Sequence, residues 1–282
     1  MTTDSAKHKL FSVVLPLAQF DTLNGKLSTF QDMKERRTYL DNFFESKYGQ
    51  GAGQLEIRYS PTKVKLSWFP RRYVAQAEKA HFEAVDYAKN KQLKQAVGSW
   101  VKAIALNPAD PDYYFNLGIA FFELKNYQEA IENLLQTLEL CPIYHKAHLI
   151  LGTVYLKVRK FEQAEKYLQE SLIFYPQHPL AYLNLGAVYS IMKRYTDGIK
   201  MFVKSIELSS NEVRAHFGIA KIYSLQNETE KANKYFENVI TINSNEKLTI
   251  HAKRLLAGGR AVEIPQSTSA TIDPADAERY YQ

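Results

Sequence analysis

Residues 145–178, HKAHLILGTVYLKVRKFEQAEKYLQESLIFYPQH, overlay the next 34, PLAYLNLGAVYSIMKRYTDGIKMFVKSIELSSNE (179–212), without a gap. Gly152 falls on Gly186, Tyr155 on Tyr189, Leu168 on Phe202 and Ser171 on Ser205. Stepping outward by the same 34 residues extends the alignment to blocks starting at 77, 111 and 213, again without insertion. The eighth column then reads Ala84, Gly118, Gly152, Gly186, Ala220, and the eleventh Tyr87, Phe121, Tyr155, Tyr189, Tyr223. The twentieth reads Ala96, Ala130, Ala164, Gly198, Ala232, and the twenty-fourth Trp100, Leu134, Leu168, Phe202, Phe236. Pro108, Pro142 and Pro176 hold the thirty-second, followed by Ser210 and Ser244. A fixed period of this length marks a stacked-repeat architecture, in which each unit buries its apolar face against its neighbours.

Each column has a physical reading. Small residues at positions 8, 20 and 27 let two helices approach closely, and the large side chains at 11 and 24 fill the space beside them. Proline at 32 lacks the backbone N–H and stops the second helix. Asn126-Tyr127, Lys160-Phe161 and Arg194-Tyr195 fall at the turn between the two helices of a unit. The first block is the least regular, with Glu83 where Leu117, Leu151, Leu185 and Ile219 stand.

These columns resemble the tetratricopeptide repeat family, and the resemblance covers residues 77–246, about 60% of the chain. It implies a mainly α fold: a right-handed α-solenoid of five helix pairs (77–110, 111–144, 145–178, 179–212, 213–246). Residues 247–258 are expected to close the open end as a capping helix, with Leu248, Ile250, Leu255 and Leu256 apolar and Lys247, Lys253 and Arg254 facing water. Gly258-Gly259 ends that helix, and 259–282 read as a flexible tail whose last ten residues could form one short helix.

Residues 1–76 are a different unit. Phe30, Met33, Leu40 and Phe44 mark one stripe of a helix over 28–48, and Gly49 to Gly53 break it. Leu55, Ile57 and Tyr59, then Val64, Leu66 and Trp68, alternate with polar residues around Ser60-Pro61-Thr62, which predicts a hairpin. Phe11 to Leu17 could add a third strand, giving a small basic β-α-β-β module. Its exposed face would carry Arg58, Lys63 and Lys65, followed by Arg71 and Arg72. The net charge of +6 sits mainly here, with 12 Lys+Arg against 7 Asp+Glu, whereas 77–246 hold 19 of each.

Composition excludes several classes. With 45% hydrophobic and 23% charged residues the chain is a folded protein, and a single cysteine excludes a disulfide framework. The apolar run Leu10 to Phe20 is too short and too interrupted to span a bilayer. It follows Lys7-His8-Lys9, but no small-x-small cleavage site comes after it, so a cytoplasmic location is expected, at most peripheral to a membrane-associated complex. Asn227-Glu228-Thr229 is a glycosylation sequon that would matter only outside the cell.

Catalytic patterns are missing from the sequence: there is no phosphate-binding glycine loop and no nucleophile elbow. A non-catalytic protein without cofactor or small-molecule substrate is therefore expected. Cys141, His145 and His148 have metal-ligand chemistry but lack a fourth ligand, and their places in the repeat suit packing. No metal is expected.

The family resemblance places the concave groove at positions 2, 5, 9, 12 and 13 of each first helix. In the second and third units this gives Phe115, Ile119, Phe122, Leu149, Thr153 and Leu156. In the fourth and fifth it gives Leu180, Leu183, Ile191, Arg214, Phe217 and Lys221. The expected feature is an exposed apolar stripe along units two to four, and a patch of that size usually marks an interaction site. Asn116 and Asn184, at position 6, resemble asparagines that hold peptide backbone in some groove-binding members; they also read as exposed helix polars. Members that clamp a chaperone's C-terminal carboxylate use Lys, Asn, Asn, Lys and a basic residue where this chain has His81, Val85, Asn116, Lys146 and Ile150. That clamp is not present.

The expected function is a scaffold or adaptor that binds a partner's apolar helix or peptide in the groove, within a larger assembly. Two other occupants stay open: the chain's own 28–48 helix or 273–282 tail, and a second copy in a homo-oligomer. The alternative function is attachment of the basic module to an anionic surface, membrane or nucleic acid. Enzymatic activity in the N-terminal module ranks last.

Overall fold

The computed structural model describes residues 11–18, 32–48, 54–60, 62–69 and 74–258. The expected helix start at 28–31, Arg71 and Arg72, and the tail from 259 lie outside them. The N-terminal unit contains strand β1 (Phe11–Pro16), helix α1 (Met33–Tyr48), and strands β2 (Gln54–Tyr59) and β3 (Lys63–Phe69). All pairings are antiparallel and the order is β1-β3-β2, so β3 is central, with Val13 opposite Leu66 and Ile57 opposite Leu66 on the other side. Strict alternation gives this sheet one dry face, on which Val13, Leu15, Val64, Leu66 and Trp68 are buried together with Leu40 and Phe44 of α1. Within the apolar run noted above, Phe11–Pro16 form a strand hydrogen-bonded to β3. Tyr59 fixes α1 to β2: its hydroxyl donates to the Asp41 carboxylate, and the Arg37 guanidinium lies 5.1 Å from its ring centre.

Five helix pairs follow: α2 (Ala75–Lys89) with α3 (Leu93–Leu106), α4 (Pro111–Glu123) with α5 (Tyr127–Leu140), and α6 (His145–Lys157) with α7 (Phe161–Phe174). Then come α8 (Pro179–Ile191) with α9 (Tyr195–Leu208), α10 (Val213–Leu225) with α11 (Thr229–Ile242), and the single helix α12 (Glu246–Leu256). Each first helix packs on its own second helix and on the first helices of neighbouring units, and from the second unit onward also on the preceding second helix. The glycine column makes the first of these contacts possible. A Cβ on Gly152 would lie 2.7 Å from Leu168 Cγ, so anything larger than hydrogen would push α6 and α7 apart. Helix starts are reinforced at Asp110, whose carboxylate accepts the Asp112 N–H at 3.0 Å, and at Asn245, which accepts from Leu248 at 3.1 Å.

The turn inside every pair is the same. The residue at position 15 adopts a left-handed conformation: Lys91, Lys125, Arg159, Lys193 and Asn227 have φ between 60° and 64°. Its N–H bonds to the carbonyl at position 12, and the next N–H bonds to that at position 11, as in Lys193 to Ser190 (3.1 Å) and Arg194 to Tyr189 (2.8 Å). This is a Schellman closure, which normally uses glycine or asparagine. A side chain there costs about 1–2 kcal/mol.

Helix α12 continues the 34-residue step, so His251 lies in the column of Phe115, Leu149, Leu183 and Phe217. It stands where the first helix of a sixth unit would fall. Lys247, Lys253 and Arg254 face water, while Leu248 and Ala252 are buried against α10 and α11.

Candidate functional site

The column at position 5 defines the centre of the concave face, and its side chains are not open. Phe115 is 1% exposed and Leu149 0%, and Ile119, Leu156, Leu180, Leu183 and Phe217 are buried with them. The exposed apolar stripe expected from the sequence is therefore absent, because the chain's own atoms cover it. Phe115, Ile119, Leu149 and Leu156 share one continuous apolar core with Val13, Leu15, Leu66 and Trp68 of the sheet and Phe44 of α1, while β1 itself meets the solenoid at α7, the second helix of the third unit. Rings assigned to a partner also have partners within the fold. Phe115 lies 4.7 Å from the Tyr144 ring, Phe122 6.0 Å from Tyr127, and Phe217 between Phe236 (5.7 Å) and His251 (5.4 Å).

The polar groove residues are drawn in as well. The Asn184 amide donates to Thr153 Oγ1 at 2.8 Å, and the Thr153 hydroxyl donates to the Leu149 carbonyl at 2.8 Å, a chain that ties α8 to α6. Asn116 donates to the Asp112 carbonyl at 2.7 Å. All three side chains are buried, against the reading of the asparagines as exposed helix polars, and the Oδ1 atoms of Asn116 and Asn184 accept no hydrogen bond.

Exposure returns toward the C-terminal end. Ile191 is 40% exposed and Leu225, the equivalent residue one unit on, is 56% exposed. Lys221 lies exposed one turn before Leu225, and burial of its stem pulls its ammonium below the ordinary lysine range. Arg214 is half-buried and paired with Glu212, at 2.7 Å through both Nε and Nη2. Of the predicted groove residues, then, Ile191 and Lys221 line open surface, Phe122 and Arg214 are half-covered, and the others are interior. Sequence reasoning missed His251 as a wall of this face, although a 34-residue step from Phe217 lands on it.

The opposite rim carries a cluster of perturbed groups. His178, at the start of α8, and His145 and Lys146, at the start of α6, lie together. Burial, then the Lys146 charge, pulls His178 down to about 4; burial, Lys146, His178 and His148 pull His145 down to about 3. One unit earlier the equivalent pair is Tyr144 and Asp112, joined by a 2.7 Å hydrogen bond. Cys141 is fully buried and its thiol is raised well above the ordinary range by burial. His148 Nε2 lies 2.9 Å from the Pro142 carbonyl, with its ring between Tyr167 and Phe174, and His145 packs on Tyr175. Among the described residues no group of His, Cys, Asp and Glu is arranged to hold a metal ion. No helix among them is long and apolar enough to cross a membrane.

The basic sheet face is weaker than its charges suggest. Arg58 is engaged by Glu56 at 2.7 Å, and Lys65, half-buried, stands directly opposite Arg58 across the β2–β3 pair. Lys63 is exposed.

Family models agree with this architecture. A TPR repeat model matches residues 86–125, and tetratricopeptide repeat models match 111–144, 145–178, 180–212 and 213–246, together more than half of the chain. The chain belongs to the tetratricopeptide repeat family. Among solved structures, "Crystal structure of MamA" is 21% identical, covers 62% of this chain and 99% of its own, and superimposes with a TM-score of 0.54. "MamA 41-end from Desulfovibrio magneticus RS-1" is 21% identical over 61% of this chain and 97% of its own, with a TM-score of 0.58. "Crystal structure of YrrB: a TPR protein with an unusual peptide-binding site" is 20% identical over 62% and 90%, with a TM-score of 0.54. These similarities establish the fold. No curated protein sequence matches the chain.

Proposed function

We propose that the protein is a non-catalytic interaction scaffold whose own N-terminal module fills the concave face of the first three units. A partner segment would then dock on the surface that stays open at the C-terminal ends of the first helices of the fourth and fifth units, around Ile191, Lys221 and Leu225. The contrast that carries this reading is between Leu149, fully buried in a core shared with the sheet, and Ile191 and Leu225, which stay exposed beside Lys221. Exposed aliphatic side chains with an adjacent cation suit a partner segment that is apolar with an acidic residue. YrrB, a TPR protein with an unusual peptide-binding site, is consistent with this use of the fold.

Ile191→Glu with Leu225→Glu tests the reading, because both side chains are already solvated and the fold should tolerate the change. Interactions of the wild-type chain, including any self-association, should be lost in the double variant at unchanged Tm. Partners retained by the variant would overturn the assignment.

A further inference from the structure

We propose that the edge of the solenoid formed by the turns inside the helix pairs is a docking surface for an anionic lipid bilayer. The repeat region carries equal numbers of acidic and basic residues, but the two edges differ. Residues 89–92, 123–126, 157–160 and 191–194, the first four inner turns, hold eight Lys and Arg against one acid, Glu123, and of the eight Arg194 is engaged by Glu165 (3.0 Å) and Asp197 (3.1 Å). The connections between those units, 107–110, 141–144, 175–178 and 209–212, hold no Lys or Arg. Lys125, Arg159, Lys160 and Lys193 are all exposed at the tips of these turns.

The backbone gives the independent argument. Lys125, Arg159 and Lys193 occupy left-handed positions with φ of 64°, 62° and 61°, where glycine is cheapest and the fifth unit uses Asn227. Helix-dipole compensation does not require them there, since a cation at position 13, such as Lys89 or Lys157, serves that end equally well. A strained conformation retained in successive units points to a use for the side chain rather than for the turn.

The chemistry favours a bilayer over other anions. Headgroups form a fluid sheet of charge that adapts to any spacing of cations, and electrostatic adsorption needs no apolar anchor. A protein interface of useful affinity depends on buried aromatic or aliphatic anchors, and the tip residues are charged. Single-stranded nucleic acid needs stacking platforms; the rings next to these turns, Tyr127, Phe161 and Tyr195, are packed against the core.

The test uses the full chain and vesicles of phosphatidylcholine with about one third phosphatidylserine. The wild type should sediment with these vesicles and not with pure phosphatidylcholine, and binding should disappear at about 0.5 M salt. The triple variant Lys125→Gly, Arg159→Gly, Lys193→Gly should lose about fivefold in partitioning per cation, about a hundredfold in all. Its Tm should rise, by about 2–4 °C per relieved residue. Asn227→Gly should leave partitioning unchanged. A wild type that ignores anionic vesicles, or a triple variant that still binds them as wild type, overturns the proposal. Tighter binding to duplex DNA or to polyglutamate than to vesicles at the same salt overturns the choice of bilayer.

Discussion

The ring of Phe202 occupies the space that a side chain at Gly218 would need: a Cβ there would lie 2.6 Å from the ring's Cζ. Phe202 is the large residue of the fourth unit and Gly218 stands at position 6 of the fifth, where the preceding units carry Asn116, Ile150 and Asn184. The bulky ring and the missing side chain therefore go together. Gly218→Ala should destabilise the fold by about 1–3 kcal/mol through overpacking. Phe202→Leu, introduced into the same chain, should return part of that loss. A double-mutant cycle by urea denaturation measures the coupling, and strictly additive effects would contradict the contact.

Asn184 and Thr153 form the buried polar link between the third and fourth units. Thr153→Val keeps the volume but leaves the Asn184 amide without its acceptor in a dry site. The expected cost is about 1–3 kcal/mol, more than an exposed hydroxyl would show. Equilibrium unfolding at neutral pH measures it.

Charge insertion separates interior from surface on the concave face. Leu149→Glu places a carboxylate where the wild-type side chain is fully buried, so it should cost about 4 kcal/mol or more and lower the Tm sharply. Ile191→Glu and Leu225→Glu should stay within about 0.5 kcal/mol of wild type. A Leu149→Glu protein with wild-type Tm would show that the first half of the groove is open.

Acid should unfold the protein through the imidazoles at the starts of α6 and α8. His178 and His145 are held at about 4 and about 3 in the folded chain, against 6.5 for an ordinary histidine. As the pH falls through 6.5 the unfolded chain takes up protons that the native state refuses. Their contribution is thus fully present above pH 6.5 and is lost progressively from there down to about 4 for His178 and about 3 for His145, about 3 kcal/mol at most for His178. Around His178 and His145 stand Lys146, His148 and Tyr175, with the Asp112 carboxylate acting on Lys146. His178→Asn, which puts a residue favoured at helix starts in the N-cap position of α8, should flatten the decline of the urea midpoint between pH 6.5 and 4.

The turn residues show how a sum can hide a pattern. Counting charge over 77–246 gives zero, which leaves the basic character to the N-terminal module. In register, the same residues place Lys91, Lys125, Arg159 and Lys193 in one column, so the segregated edge is legible in the repeat and lost in the total. His251 is a similar case, because it falls one step beyond the fifth block, outside the five columns that define the family resemblance.

The repeat itself was determined by the sequence. Gly152 against Leu168, or Gly186 against Phe202, are contacts within one 34-residue unit or its immediate neighbour, and local packing of that kind leaves a periodic trace. The strands of the N-terminal module were legible for the same reason, since alternation records which face is dry. What only the tertiary structure decided is the fate of the groove. Phe115, Ile119 and Leu149 show the same apolar residues whether a partner or the chain's own module covers them. Burial there depends on segments tens of residues away, and no period links the two.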